Sequence, residues 1–282
     1  MREPDPAPPP GHLLVRTEAV GVSVGLARLL AAGEVVGTVV ALGSDVAGFA
    51  VGDRVGGVVF RDAFADLVVA DPRLVGPVPA EADAGVALAL VRGGLLALST
   101  LRAARFEPGE SVLVTAAASG TGHLAVQVAR ALGAGRVVGA VGSADKADFV
   151  RGCGADEVVT YARPSWGDPV DVVLDGVGGE LVQRGVAALA PFGRLVAFSA
   201  GGGIVDVADL LGGAKSVIGF TVGTLNRTRP ELVDRHRAEL WDLLAADRLH
   251  PRHIDFPLDR VAEAIELITT RANLGRVVLR TG

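Results

Sequence analysis

The sequence predicts an α/β protein, with a doubly wound domain on a parallel sheet and a smaller antiparallel β domain before it. Two observations lead to this prediction. From about residue 102 to residue 222, runs that are apolar almost throughout alternate with helical stretches, as in a parallel sheet covered on both faces. The first ninety or so residues instead hold short Val-rich runs broken by Gly and Pro, a spacing typical of a small antiparallel domain or barrel.

The elements of the second region follow in order. Strands are predicted at residues 111–115, 136–141, 157–161, 170–175, 194–198 and 217–222. Helices are predicted between them at residues 121–132, 144–151 and 180–189. The domains predicted from this pattern are residues 1–101, 102–223 and 224–282.

The last of these segments predicts two helices and a strand. Apolar side chains recur at helical spacing in residues 231–249 and 258–271. The predicted apolar faces are Leu232, Leu240, Leu243 and Leu244 in the first helix, and Val261, Ala264, Ile265 and Ile268 in the second. The closing GRVVLRTG predicts a final strand.

Composition excludes several classes of protein. The 282 residues suffice for one or two domains of about 150 residues each. A net charge of −5 without a basic block argues against nucleic-acid binding as the main task. The single cysteine, Cys153, excludes an internal disulfide and a zinc site of four cysteines. The charged, Pro-rich start is unlike a signal peptide, and no apolar run reaches the roughly 18 residues of a membrane span. We therefore expect a soluble, cytoplasmic protein without a membrane partner.

The turn after the first strand of the parallel sheet is a candidate cofactor site. It reads TAAASGTG at residues 115–122. Dinucleotide-binding turns usually have three glycines, which permit the tight turn, the approach of the pyrophosphate and close helix–strand packing. Here Ala117, Ser119 and Gly122 hold those places. A tight strand–helix connection without a ligand remains the alternative. His123, just inside the helix, is expected to be a partly solvated surface residue.

The end of the second strand bears on the choice of cofactor. NAD-binding sites usually place a carboxylate there to accept hydrogen bonds from the ribose. Here the strand ends at Val141 and Gly142 without one, and Ser143 and Lys146 follow. Both side chains could contact a 2′-phosphate, which favours NADP(H); Asp145 opposes this only if it faces the ribose.

Several motifs in order carry a resemblance to a known family. They are PGESVLVTAAASGTGHLAVQVARALGA, VGSADK followed by GADEVVTY, VDVVLDGVGGE, LAPFGRLVAFSAGGG and LGRVVL, with GEVVGTVVALGSDVAGFAVGDRV in the first region. Together they resemble the zinc-independent quinone oxidoreductase branch of the medium-chain dehydrogenase/reductase family. The resemblance covers most of the chain from His12 onward.

The resemblance implies a GroES-like β-barrel beside a Rossmann domain, with the active site in the cleft between them. It also implies NADPH as cofactor and hydride transfer to an electron-poor C=C bond or a quinone, and a homodimer paired through strand 217–222. The residues that it would place at the cofactor are Ser119, Gly120, Thr121 and Gly122 at the pyrophosphate, Gly142, Ser143, Lys146 and Tyr161 around the 2′-phosphate, Gly176, Val177, Phe198, Ser199 and Ala200 along the adenosine and nicotinamide, and Arg276 before the last strand.

Departures from the family pattern fall in the part that handles substrate. The segment after AVGV lacks several dozen residues of loop, Ser23 replaces an asparagine, and Leu26 replaces an acid. Leu96 stands where a threonine often contacts the nicotinamide ribose. No Cys or His pair with ligand spacing remains, so no catalytic metal is expected. Ser23 is the one candidate for a hydrogen bond to the substrate oxygen, and a barrel-loop serine is its alternative role.

The expected function is therefore NADPH-dependent reduction of an α,β-unsaturated carbonyl or a quinone. An open pocket would suit a bulky small-molecule substrate such as a natural-product intermediate. The alternative is a protein that keeps the fold but has lost reduction, and acts as a cyclase, an isomerase or a ligand-binding accessory protein. The shortened loop and Leu96 motivate this alternative.

Overall fold

The computed structural model describes residues 7–23, 32–198 and 201–281. The chain divides into two compact units. Met1–Arg92 and His253–Gly282 form the first, and Gly93–Arg252 forms the second. The boundaries thus fall after residues 92 and 252, whereas the sequence predicts them after 101 and 223. The predicted C-terminal segment is shared between the units, because its first helix belongs to the second unit and its last strand to the first.

The first unit is built on a mostly antiparallel sheet. Its strands are β1 (Leu13–Val22), β2 (Gly33–Leu42), β3 (Arg54–Val59), β4 (Leu67–Ala70), β5 (Val75–Pro77), β12 (His253–Pro257) and β13 (Arg276–Arg280). They pair in the order β12-β13-β1-β2-β3-β5, with β4 also on β1, and only β12 and β13 run parallel. Val, Leu and Ala side chains fill the core between them, as the composition requires.

The second unit is a six-stranded parallel sheet. Its strands are β6 (Ser111–Val114), β7 (Arg136–Val141), β8 (Glu157–Thr160), β9 (Val170–Asp175), β10 (Leu189–Ala197) and β11 (Ser216–Gly219). They lie in the order β11-β10-β9-β6-β7-β8 and all neighbours are parallel. This order reverses between β6 and β9, so the sheet is doubly wound and its switch point lies there. The predicted fold class is confirmed.

Helices make up the rest of the regular structure within the described ranges. They are α1 (Ala84–Leu88), α2 (Leu95–Ala103), α3 (Gly122–Ala131), α4 (Ala147–Gly152), α5 (Glu180–Ala187), α6 (Val207–Leu211), α7 (Val222–Thr228), α8 (Pro230–Ala245) and α9 (Val261–Thr269). A π-helical turn, Ala89–Gly94, joins α1 to α2. The 3₁₀ turns Ala144–Lys146 and Leu258–Arg260 lead into α4 and α9.

Three predicted elements need correction. The strand predicted at residues 194–198 begins five residues earlier, at Leu189, which was predicted to end the preceding helix. The strand predicted at residues 217–222 ends at Gly219, and Val222 begins α7. Thr221 stops the strand because its hydroxyl accepts the Thr224 backbone N–H at 3.1 Å and caps the helix. In α8 the buried face is Val233, His236, Leu240 and Leu243, so two predicted leucines only flank it. The face predicted for α9 is confirmed, since its four residues lie in or against the core.

One helical stretch resembles a membrane span by length and composition alone. It covers Ala84–Ala103, and 83% of its most apolar window is buried inside the protein. The sequence alone does not predict it, because Arg92 and Arg102 interrupt the apolar run. Such burial is typical of the core helix of a globular domain. The cytoplasmic location stays a prediction.

Candidate functional site

The residues predicted around the cofactor phosphates lie at the carboxyl ends of the parallel strands. The turn from Thr115 to Thr121 joins β6 to α3, next to the switch point where such sheets bind ligands. Ser119, Gly120 and Thr121 are half-buried, so the tip of the turn remains accessible.

Gly122 makes this turn possible. A Cβ on Gly122 would collide with the carbonyl oxygen of Ala116, so the helix can begin this close to the strand only with glycine there. Ala116 has a φ of +48°, a left-handed conformation that reverses the chain. Ala117 is fully buried, and a Cβ on Gly139 of β7 would lie 3.2 Å from its methyl group. Alanine is thus accommodated at the first of the three glycine positions, because its methyl group packs against β7.

The tip of the turn presents unpaired backbone donors. Ser119 Oγ accepts the Gly122 N–H at 3.0 Å, and the Ser119 carbonyl accepts the His123 N–H at 3.1 Å. The N–H groups of Gly120 and Thr121 have no acceptor among the described residues. Together with the partial positive charge at the start of α3, they form a site that favours an anion. This donor set fits a diphosphate.

His123 is a buried part of the turn, which corrects the expectation of a partly solvated side chain. It is 0% exposed. The backbone N–H of Arg252 donates to Nε2 at 3.0 Å, so Nδ1 carries the proton and donates to the Ser119 carbonyl at 2.8 Å. His123 therefore holds the carbonyl of the turn as a neutral ring, and serves position rather than proton transfer.

Tyr161 joins the turn to the end of the second strand. Its hydroxyl accepts the Ala116 N–H at 2.7 Å, and its own N–H donates to the Val141 carbonyl at 2.9 Å. A Cβ on Gly142 would lie 3.9 Å from the Tyr161 ring, so the ring packs over the strand end. The structure thus brings Tyr161 to the turn itself, and its contact with a 2′-phosphate stays a prediction.

A carboxylate lies beside the predicted 2′-phosphate position. The Ser143 hydroxyl donates a hydrogen bond to the Asp145 carboxylate, and this bond lowers the pKa of Asp145. Lys146 is half-buried and ends the 3₁₀ turn that carries Asp145. The charges at this strand end therefore include one anion and one cation.

Asp175 organises the switch point, and the sequence analysis did not single it out. It is 0% exposed at the end of β9. Its carboxylate accepts the Thr115 hydroxyl at 2.9 Å and the N–H groups of Val177 and Gly178 at 3.3 and 2.9 Å. Thr115 Oγ1 in turn accepts the Gly176 N–H at 3.0 Å. The aspartate that precedes GVGG was the signal, since Asp often caps the loop that follows it.

Phe198, which follows β10, packs at the same carboxyl ends of the strands. The Phe198 N–H donates to the Asp175 carbonyl at 3.0 Å. A Cβ on Gly176 would lie 2.9 Å from the tip of the Phe198 ring, so a larger residue there would displace this ring. Ser199 and Ala200, which are also predicted at the cofactor, lie outside the described residues.

The other two predicted residues lie in the first unit. Ser23 follows β1, and its Oγ is buried without a hydrogen-bond partner among the described residues. Arg276 begins β13 and pairs with Glu34, a carboxylate that is 0% exposed. Arg92 lies 3.3 Å from the same carboxylate. Arg276 is therefore committed to an internal ion pair, and its contact with a cofactor stays a prediction. Among the described residues, no group of three or more His, Cys, Asp or Glu could hold a metal ion.

Comparison with known proteins assigns the family. Residues 120–237 match the family model of the zinc-binding dehydrogenases. Quinone oxidoreductase-like protein 2 from Bos taurus is 31% identical over 258 residues, which cover 86% of this chain and 74% of that protein. This chain belongs to the quinone oxidoreductase-like branch of the medium-chain dehydrogenase/reductase family. The resemblance stated from the motifs is confirmed.

Other members of the family extend the comparison. A mycobacterial protein solved in complex with NADPH matches with a TM-score of 0.88 at 30% identity, over 99% of this chain and 94% of that one. A spectinabilin polyketide synthase system protein from Streptomyces orinoci is 33% identical over 98% of this chain. Prostaglandin reductase-3 from Bos taurus is 37% identical over 68% of it. The chain spans 13% of the polyketide synthase protein and 56% of the prostaglandin reductase.

Proposed function

We propose that this quinone oxidoreductase-like chain is an NADPH-dependent reductase of α,β-unsaturated carbonyls or quinones. The observation that carries the proposal is the turn at the start of α3, where Gly120 and Thr121 present unpaired N–H groups beside a position that admits only glycine. The mycobacterial complex with NADPH supports the choice of cofactor. The polyketide synthase relative supports a natural-product intermediate as substrate.

Each part of the cofactor has residues that suit it. The tip of the turn, Ser119 to Thr121, holds the diphosphate through N–H groups and the Thr121 hydroxyl. Lys146, Ser143 and Tyr161 hold the 2′-phosphate. The loops after β9 and β10 supply Gly176, Val177, Phe198, Ser199 and Ala200. The remaining predicted contacts are Gly142, which follows β7, and Arg276, which begins β13. When bound, NADPH supplies the hydride that the electron-poor carbon of the substrate accepts.

Ser23 is the proposed donor to the substrate oxygen. Ser23 Oγ is buried and has no hydrogen-bond partner within the part of the chain that the structure describes. A buried hydroxyl without a partner costs about 1–3 kcal/mol, and a substrate oxygen would supply one. The proton that completes the product then comes from solvent. Ser23→Ala should lower kcat/KM for the substrate and leave the Kd for NADPH unchanged; equal activity would remove Ser23 from the mechanism.

A second function is favoured by one observation, Leu96. It is 7% exposed and buries an alkyl group where relatives often have a threonine hydroxyl. A protein that has lost this contact can bind NADPH or a polyketide-like ligand without transferring hydride, as a cyclase, an isomerase or an accessory protein.

One experiment separates the two functions. The purified chain is titrated with NADPH and with NADH by calorimetry, and then mixed with NADPH and a panel of enones and quinones while absorbance reports NADPH oxidation. Binding with turnover of at least one acceptor supports the reductase. Binding without turnover of any acceptor supports the second function. The absence of NADPH binding contradicts the reductase and leaves only a second function that binds a ligand other than NADPH.

The proposed assembly is a homodimer through β11. This strand lies at the edge of the parallel sheet and pairs only with β10 among the described residues. Exposed edges offer unpaired backbone groups to a second strand. Light scattering should give twice the chain mass, and Ile218→Lys on β11 should shift the mass to that of a monomer. A monomer mass for the unmodified chain would contradict this proposal.

A further inference from the structure

The second unit contains a cavity that the proposed reaction does not use. It has a volume of about 540 Å³ and lies among α2, α7 and α8. This size is within the range of about 300–1,000 Å³ that small-molecule sites occupy. Phe220, Leu225, Leu232 and Ala103 supply an apolar part of its wall.

A polar pair faces this cavity from within the helix packing. Ser99 Oγ on α2 and His236 Nδ1 on α8 are 2.8 Å apart, and the residues are 1% and 7% exposed. Ser99 is too buried to act as a nucleophile, so it fixes the ring. His236 Nε2 has no hydrogen-bond partner among the described residues. Nε2 is not among the buried polar atoms that lack a partner, so it is accessible from the cavity. When the Ser99 hydroxyl donates to Nδ1, Nε2 carries the proton of the neutral ring and can donate it to a ligand.

The charges on the cavity wall leave one cation unpaired. Arg102 on α2 forms an ion pair with Glu239 on α8, so these two charges cancel. Arg235, the remaining charged residue of the wall, has no ion-pair or hydrogen-bond partner among the described residues. The wall therefore combines an apolar surface, a surplus positive charge and an imidazole nitrogen.

We propose that this cavity binds a small amphipathic carboxylate, with the carboxylate at Arg235 and His236 Nε2 and the apolar body against Phe220, Leu225 and Leu232. A guanidinium is suited to a carboxylate because it offers several N–H donors in one plane. The site is separate from the proposed NADPH residues, none of which lines it. It goes beyond the proposed reductase function and does not depend on it.

The test uses octanoate as probe and octan-1-ol as its neutral match. Calorimetry on the full chain saturated with NADPH should show octanoate binding at least about tenfold more tightly than octan-1-ol, because a charge-assisted hydrogen bond adds roughly that much. Arg235→Ala should abolish the difference between the two probes. Arg235 is exposed, so this variant should fold normally. Its thermal unfolding curve should match that of the unmodified chain.

Two further variants test the location. Leu225→Trp should block the cavity and weaken both probes, while Arg151→Ala, an exposed arginine on α4, should leave both unchanged. Equal affinities for octanoate and octan-1-ol, or an octanoate affinity that Arg235→Ala does not alter, would overturn the proposal. Competition between octanoate and NADPH would also overturn it, because the site would then be the cofactor site. Failure of the reductase assay would leave the octanoate result intact.

Discussion

Of the three positions that are usually glycine in a dinucleotide-binding turn, only residue 122 is glycine here, and the geometry explains why. The side chains of Ala117 and Ser119 point where small groups fit, and Ser119 even caps the helix through its hydroxyl. A side chain at residue 122 instead meets a backbone carbonyl, which cannot move without moving β6. Contact with the backbone thus explains why residue 122 must be glycine. The positions of Ala117 and Ser119 require only a small side chain.

Gly122→Ala should therefore destabilise the second unit and weaken NADPH binding. The added methyl group collides with the Ala116 oxygen, and overpacking of this kind costs typically about 1–3 kcal/mol. Chemical denaturation and NADPH calorimetry measure the two effects. Gly152→Ala on α4 is the matched control, since no atom lies within 4 Å of its Cβ position and it should be neutral or stabilising. Equal behaviour of the two variants would contradict the geometry.

Lys146→Ala should weaken NADPH binding by about ten- to hundredfold, because hydrogen bonds to charged groups contribute about 1.5–3 kcal/mol. NADH binding should hardly change, since NADH has no 2′-phosphate. Arg151→Ala removes a cation from the helix that follows and should alter neither affinity. Equal losses for both cofactors would show that Lys146 does not contact the 2′-phosphate.

Asp145→Asn should raise NADPH affinity by removing the neighbouring anion.

At the scale of elements, α3 is tied to the segment that leaves the second unit. Gln127 Nε2 donates to the His250 carbonyl at 3.1 Å, and its Oε1 accepts the His250 N–H at 2.6 Å. One turn earlier, His123 accepts the Arg252 N–H. The helix that begins at the proposed diphosphate position thus holds residues 250–252 through two side chains on one face.

Gln127→Met should release this segment without removing helix packing. Each lost hydrogen bond contributes about 1 kcal/mol, so the His250 amide should exchange its hydrogen severalfold faster. Hydrogen-exchange mass spectrometry of the peptide around residue 250 measures this change. Gln183→Met on α5 is an exposed counterpart and should leave that peptide unchanged. Unaltered exchange in Gln127→Met would mean that the segment is held by other contacts.

For the whole molecule, the sequence predicted what local patterns determine. Apolar runs bounded by turns predicted β6 to β9 to within one residue, whereas β10 begins five residues before its predicted start and β11 ends three residues before its predicted end. The turn motif predicted a cofactor site, and the structure places this turn next to the switch point. Burial of His123 could not be predicted, because its partner Arg252 is 129 residues away. The roles of Asp175 and Thr115 depend on two strands brought together by the sheet, 60 residues apart. The buried face of α8 differs from the predicted one for the same reason, since it includes His236, which is hydrogen-bonded to Ser99 on α2.

That buried histidine predicts how the stability of the whole chain depends on pH. Burial lowers the pKa of His236, and Arg102 and Arg235 act in the same direction while Glu239 opposes them. Because the unfolded histidine titrates near pKa ~6.5, the unfolded state takes up more protons than the folded state below that pH. Stability must therefore fall on acidification from about pH 7 to pH 5, by at most about 1.4 kcal/mol per pH unit for this one group.

His236→Asn keeps a polar partner for Ser99 but cannot titrate, so its stability should fall less between these pH values. Urea denaturation of both proteins at several pH values measures the difference in slope. The carboxylates with lowered pKa, such as Asp83 and Glu110, lose stability towards pH 5 by the same amount in both proteins, so their contribution cancels from the comparison. His250→Asn, at a half-exposed side chain outside the helix packing, is the control and should follow the unmodified chain. Parallel curves for the unmodified chain and His236→Asn would show that the pKa of His236 does not differ between the folded and unfolded states.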